Sequence, residues 1–147
     1  MKIIELQDRP PILVQQLLGI WEKSVKATHL FLSDWEIQRI QHDVPQALTA
    51  VAHLIMAETE DGLPIAFMGI EGDTLEMLFL TPEEMGKGIG KCLMQYGIEH
   101  YKIQELTVNE QNPQAKGFYE HIGFQAYKRS EYDQQVLPYP LVFMRRP

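Results

Sequence analysis

Gly86, Gly88 and Gly90 alternate with Lys87 and Ile89 in the stretch from Leu80 to Lys91, directly after an apolar run and directly before a helical pattern. A glycine turn feeding a helix start presents main-chain N–H groups that lack intrahelical partners, at the positive end of the helix dipole. Without Cβ atoms, the backbone of such a turn can approach an anion closely. Lys87 and Lys91 place positive charge beside it. The chemistry that these residue types suit is the grip on a phosphate-bearing ligand; the plain alternative is that the glycines serve tight packing. Two familiar phosphate loops are excluded by spacing. The nucleoside-triphosphate frame GxxxxGKS/T is absent, and the dinucleotide frame GxGxxG fails because the closing position holds Lys91 or Leu93.

Two further side chains could move a proton. Glu76 lies in the apolar run Thr74 to Leu80, and period-two alternation puts it on one face with Leu78 and Leu80. A carboxylate in such a row can accept a proton, or it can be solvated or ion-paired. His29 follows the helical pattern that contains Trp21, and it is a rival base or a structural hydrogen-bonding group. Glu110 is a third, weaker choice. Cys92, the only cysteine, excludes an intrachain disulfide and a thiolate-rich zinc site, and no metal site is expected.

Downstream, Asn112-Pro113 reads as an N-cap with proline at the first helical position, and Gly123 as a helix terminator before a strand. Folding alone accounts for each of these residues, but not for the combination of Asn112 with Ala115, Phe118-Tyr119 and Gly123-Phe124. That combination, N-x-x-A-x-x-F-Y-x-x-x-G-F, together with Leu80-Thr81-Pro82 and Met85-Gly86-Lys87-Gly88-Ile89-Gly90, resembles the two motifs of the GNAT superfamily of N-acetyltransferases. Met85 departs from the family's arginine or glutamine at the head of the loop. The motifs cover roughly residues 53 to 132. The segment Ile20 to Leu32 and the stretch Pro138-Tyr139-Pro140-Leu141 resemble a bacterial subgroup of the superfamily and extend the likeness over nearly the whole chain.

The resemblance implies transfer of an acetyl group from acetyl-CoA to a primary amine by direct attack. The acceptor would be a protein lysine or N-terminus, with a polyamine, aminoglycoside or amino sugar as the alternative. A third reading is a non-catalytic acyl-CoA-binding sensor or partner module. By similarity, the amides of Gly86, Gly88, Gly90 and Lys91 hold the pyrophosphate, within a cofactor site that also includes Met85, Lys87 and Ile89. Leu78 and Leu80 offer main-chain groups, Asn112 touches the pantetheine arm, and Lys116 approaches a CoA phosphate. Tyr119 is the implied acid that protonates the leaving thiolate. Trp21, Phe31, Tyr132 and Tyr139 are candidates for the acceptor wall.

These residues need a scaffold. Ile3 to Leu6 reads as a strand, and the apolar spacing of Leu13, Leu17, Leu18, Trp21 and Val25 as a helix after Pro10-Pro11. Ser33-Asp34, with Glu36 in capping-box position, starts a second helix, and Pro45 is expected to end or kink it. His53 to Thr59, Pro64 to Glu71 and Thr74 to Leu80 read as an antiparallel meander with tight turns between. A helix over Gly88 to Lys102, a strand over Gln104 to Asn109 and a helix over Pro113 to Ile122 follow. Strands over Phe124 to Tyr132 and Leu137 to Met144 close the chain. The order is β-α-α-β-β-β-α-β-α-β-β. The expected class is α/β (α+β), the GNAT fold: a mixed, mostly antiparallel sheet of about seven strands, splayed at its centre and flanked by about four helices.

Composition sets the outer limits. At 147 residues, 45% hydrophobic and 22% charged, the chain is expected to form one soluble domain, residues 1–147. The net charge of −7 argues against a nucleic-acid partner, since phosphate neutralisation needs a basic surface. No signal peptide and no apolar run long enough to span a membrane are visible, so a cytoplasmic location without a membrane partner is expected. A homodimer is possible through the terminal strand, an exposed-edge candidate.

Overall fold

The computed structural model describes residues 1–133 and 137–147. Its sheet has seven strands: β1 (Lys2–Glu5), β2 (His53–Glu58), β3 (Pro64–Glu71), β4 (Thr74–Leu80), β5 (Glu105–Asn109), β6 (Gln125–Ser130) and β7 (Leu141–Arg145). They lie in the order β1-β2-β3-β4-β5-β7-β6, and every neighbouring pair is antiparallel except β4 and β5. The helices are α1 (Pro11–Thr28), α2 (Asp34–Gln41), α3 (Val44–Ala50), α4 (Ile89–Tyr101) and α5 (Pro113–Ile122). The expected mixed, splayed sheet is therefore present.

Two boundaries differ from expectation for identifiable reasons. Pro45 does not end the second helix but sits in the first turn of a separate α3, where its missing N–H leaves no bond unmade. Five α-helices result among the described residues, against the expected number of about four. Strand β7 starts at Leu141, because neither Pro138 nor Pro140 has an N–H to give to the ladder. Ser33 caps α2 in the reciprocal arrangement foreseen, its hydroxyl accepting from Glu36 N–H while the Glu36 carboxylate accepts from Ser33 N–H.

The sheet separates two hydrophobic clusters. On one face, α1, α2 and α3 bury Leu17, Trp21, Val25, Ile37 and Leu48 against Leu54, Met56 and Phe67. On the other, α4 and α5 bury Leu93, Met94 and Tyr119 against Ala66, Met68, Ile70 and Met144. Strand β4 is shared unevenly. Leu75, Leu78 and Leu80 belong to the α4/α5 face, while Met77 and Phe79 belong to the α1 face.

That assignment needs an extra residue between Leu75 and Met77. The register with β3 supplies it: Gly69 pairs with Met77 and Ile70 with Leu75, leaving Glu76 as an unpaired β-bulge. Beyond the bulge, β4 and β5 separate. Only Thr74–Glu105 and Leu75–Leu106 remain paired, and the rest of β4 borders a gap.

Candidate active site

The gap exposes backbone with a defined orientation. Thr81 N–H donates to Ile65 C=O at 2.9 Å, which fixes the phase of the antiparallel ladder. Phe79 and Met77, in step with Thr81, direct their polar main-chain groups toward β3. Leu78 and Leu80 therefore direct their N–H and C=O groups into the gap. It is thus main-chain groups of these two leucines that border the gap.

The glycine loop closes one end of the gap. Gly86 and Gly88 adopt φ of 80° and 83°, left-handed backbone that other residues enter only with strain. Gly88 is the N-cap of α4, and the first helical bond to reach it comes from Cys92 N–H, 3.0 Å from Gly88 C=O. The N–H groups of Ile89, Gly90 and Lys91 are thus left for a ligand. Gly90 has a different reason to be glycine: a Cβ there would lie 3.3 Å from the Phe118 ring, so its absence lets α4 pack tightly on α5.

Loop, gap and α5 together line a groove of about 420 Å³. Met85, Gly86, Gly88, Ile89, Gly90 and Lys91 form one wall, Asn112, Gln114, Ala115, Phe118 and Tyr119 the opposite one, and Leu78 to Leu80 the floor. Asn112 caps α5, its side chain accepting from Ala115 N–H at 3.3 Å. A second cavity of about 220 Å³ opens at the splay, between Glu76, Met77, Thr107, Val108 and Asn109. The two cavities share His29, Leu78, Phe79, Asn112, Ala115 and Tyr119.

Tyr119 and His29 are therefore at the junction. Tyr119 is 8% exposed and packs edge-on against Phe118 and Phe124. Burial raises its phenol well above the ordinary value, so it stays protonated. Its hydroxyl has no hydrogen-bond partner among the described residues, yet no fully enclosed side-chain polar atom there lacks one, so the hydroxyl opens to the cavity. His29 is the C-cap of α1. Burial lowers its pKa below the usual histidine value, favouring the neutral ring. Its Nδ1 lies 2.8 Å from Thr28 Oγ1, and its ring meets Phe31 at 5.4 Å. Phe31 in turn meets Tyr139 at 5.5 Å.

Glu76 lines the smaller cavity, but not from the face expected. The bulge shifts the alternation, so Glu76 leaves the row of Leu78 and Leu80 and joins the Met77 and Phe79 side. Its carboxyl is raised above the ordinary carboxylate value, first by burial and then by the negative charge of Glu71.

Other expected positions lie elsewhere. Trp21 is 5% exposed within the α1 cluster and lines neither cavity, because it falls on the inward stripe of α1. Tyr132 is half exposed and also lines neither. Phe31 and Tyr139 reach His29 only as a row of tilted aromatic rings. Lys87 pairs with Glu84 at 3.4 Å and faces a hollow behind the loop, and Lys116 pairs with Glu120 at 3.8 Å along its own helix. Glu110 is held by Arg129 in a two-pronged ion pair, which lowers its pKa and occupies its oxygens. Ser24, Thr28, Phe79 and Gln114 were not foreseen. For Ser24 and Thr28 the available signal was their one-turn spacing just before His29.

The groove fits an extended phosphate-bearing molecule: free amides and Lys91 at one end, an apolar middle, and main-chain donors and acceptors along its floor. Among the described residues, no helix is long and apolar enough to cross a membrane, and no cluster of three or more His, Cys, Asp or Glu side chains could hold a metal ion.

Comparison with known proteins agrees with this geometry. Peptidyl-lysine N-acetyltransferase YjaB of Salmonella typhimurium is 38% identical over 133 residues, 90% of this chain and 91% of that protein. Peptidyl-lysine N-acetyltransferase YiaC of Escherichia coli is 36% identical over 80 residues, 54% of this chain and 55% of that protein. The solution structure of apo YjaB from Escherichia coli superposes with a TM-score of 0.87 at 34% identity, covering 99% of this chain and 97% of that one. PaiA N-acetyltransferase from Thermoplasma acidophilum, solved in complex with coenzyme A, shares the fold with a TM-score of 0.68 at 20% identity, covering 99% of each chain. The family model described as Acetyltransferase (GNAT) domain matches residues 25–142. With the splayed sheet, the glycine loop and the groove between α4 and α5, this places the chain in the GNAT family of acetyltransferases.

Proposed function

We propose that this enzyme transfers an acetyl group from acetyl-CoA to the ε-amine of a protein lysine. The observation that carries the reading is the meeting of two cavities at His29 and Tyr119. The long groove suits the donor, with pyrophosphate at the α4 amides and pantetheine along Leu78 and Leu80. The smaller cavity, at about 220 Å³, lies below the ~300–1,000 Å³ of pockets that take drug-sized ligands, which favours a linear alkylamine over a multi-ring amino sugar.

A lysine amine must first lose its proton, at a cost of about 4–5 kcal/mol at pH 7. His29, neutral and facing the junction, accepts that proton, directly or through water. Glu76 on the same cavity draws the ammonium in. The neutral nitrogen then attacks the thioester carbonyl, forming the amide C–N bond, while main-chain N–H groups on the β4 floor steady the charge that develops on oxygen. As the C–S bond breaks, the Tyr119 hydroxyl gives its proton to the departing sulfur, and the phenolate left behind takes up the second proton shed by the attacking nitrogen, leaving a neutral amide and the free CoA thiol. The raised pKa of Tyr119 serves that role, since the group carries its proton at every pH where the amine can react.

The test is Tyr119→Phe, assayed by thiol release from acetyl-CoA with lysine peptides, polyamines and aminoglycosides. The hydroxyl makes no hydrogen bond among the described residues, so melting temperature and acetyl-CoA affinity are expected to hold. The rate should fall about 10²- to 10⁴-fold, the usual worth of a positioned acid. Unchanged turnover refutes the role of Tyr119. Tight acetyl-CoA binding without thiol release on any acceptor supports the sensor reading instead.

A further inference from the structure

We infer that Thr28 is a positioning residue that fixes which nitrogen of His29 carries the proton. The inference rests on the reading of His29 as the base. Thr28 ends α1, and its Oγ1 lies 2.8 Å from the carbonyl oxygen of Ser24, one turn earlier, and 2.8 Å from His29 Nδ1. A carbonyl oxygen only accepts, so the single hydroxyl hydrogen of Thr28 goes to Ser24. Oγ1 then meets the ring as an acceptor, and His29 must donate to it from Nδ1–H. A neutral imidazole with its hydrogen on Nδ1 keeps its lone pair on Nε2. Nε2 has no partner among the described residues, and the ring lines both cavities. The nitrogen able to take a proton is therefore the one left free for the acceptor amine.

The hold is specific to a hydroxyl with its hydrogen already committed. Ser24 is 4% exposed in the body of α1, so water does not compete for its carbonyl. Burial of the ring adds to the effect by keeping it neutral. The other titratable groups that line the cavities with His29 are Glu76 in the smaller one, Lys91 in the larger and Tyr119 in both. None of the three touches Nδ1, so the threonine alone selects the tautomer.

The tautomer can be read without any acceptor. In the full-length ¹⁵N-labelled protein, long-range ¹H–¹⁵N correlation of the imidazoles, assigned with His29→Gln, should show Nδ1 protonated and Nε2 bare at pH 8. Thr28→Val keeps the shape and removes the hydroxyl; it should shift the ring toward the Nε2–H form, and Thr28→Ser should restore the original pattern. With an amine acceptor, Thr28→Val should lower kcat/KM about 10- to 100-fold, less than loss of the base itself, and Thr28→Ser should recover most of it. A wild-type ring protonated at Nε2 overturns the inference outright, whether or not any variant folds. So does a Thr28→Val spectrum identical to wild type. Full activity of His29→Gln refutes the reading of His29 as base, a result distinct from either spectrum.

Discussion

Arg9 precedes α1 by two residues, yet its guanidinium sits at the far end of α3. Nη1 faces the carbonyls of Leu48, Thr49 and Val51 at 3.0, 3.1 and 2.6 Å, Nη2 faces Ala52 at 3.3 Å, and Nε faces Leu6 at 3.4 Å. Those of Leu48, Thr49, Val51 and Ala52 lie at and just past the C-terminus of α3, where last-turn acceptors lack partners and the dipole favours a cation, whereas Leu6 follows β1. Nη1 has two hydrogens for three carbonyls, so the fan amounts to at most four full bonds rather than five. Hydrogen bonds to a charged group are worth about 1.5–3 kcal/mol each at the high end, but the carbonyls at Thr49 and Ala52 are exposed and regain water when Arg9 is removed. A net loss of about 2–3 kcal/mol is expected for Arg9→Ala. At about 2–4 °C per kcal/mol for a chain of this size, the melting temperature should drop by about 5–10 °C. Arg9→Lys should recover about 1 kcal/mol or less, because one ammonium retains the dipole interaction but cannot span four carbonyls. Thermal and urea unfolding of the three proteins side by side provide the assay. An Arg9→Ala protein melting within about 1 °C of wild type would refute the capping argument.

Gly88→Ala should weaken acetyl-CoA binding about tenfold or more and lower stability by about 1–2 kcal/mol, since its φ of 83° is strained for any residue with a Cβ, although nothing crowds that space. Calorimetric titration and melting measure the two effects, and undiminished affinity would argue against the loop as anion grip. His29 predicts a pH dependence. Burial lowers its pKa in the folded state, so its contribution to stability is complete above about pH 6.5 and is lost as pH falls toward and through that lowered value. His29→Gln should therefore lose less stability than wild type between neutral and mildly acidic pH, and parallel urea-midpoint curves would contradict this. Glu110→Gln should leave kcat/KM within about twofold, because Arg129 already occupies that carboxylate outside both cavities; a hundredfold loss would restore Glu110 as a candidate base.

The parts of the fold set by local chemistry were legible in the sequence. The meander from His53 to Leu80 and α5 with its Asn112 cap carry strong turn and cap residues. The glycine loop and Tyr119 lay inside motifs whose spacing fixes their geometry. What escaped depends on distant partners. The reach of Arg9 to α3 spans about forty residues of sequence. The bulge at Glu76 is a property of the β3–β4 register, and no alternation rule applied to β4 alone could reveal it. Trp21 illustrates the same limit, since an aromatic on an amphipathic helix reads alike whether it faces a core or a ligand.

Glu76 is, in effect, an insertion. With the residue deleted, Leu75 and Met77 would follow one another in an ordinary pleat, and every side chain downstream would keep the face it has now. The strand gains nothing in core packing from its extra length. What the additional residue supplies is a bend at the one point where β4 leaves β5, so it acts as a wedge that keeps the two parallel strands from zipping further. Charge and curvature are thereby carried by a single position but are separable. Glu76→Gln removes the carboxylate and leaves the wedge, whereas shortening the chain by one residue removes both and lets the sheet close over the place where donor and acceptor meet.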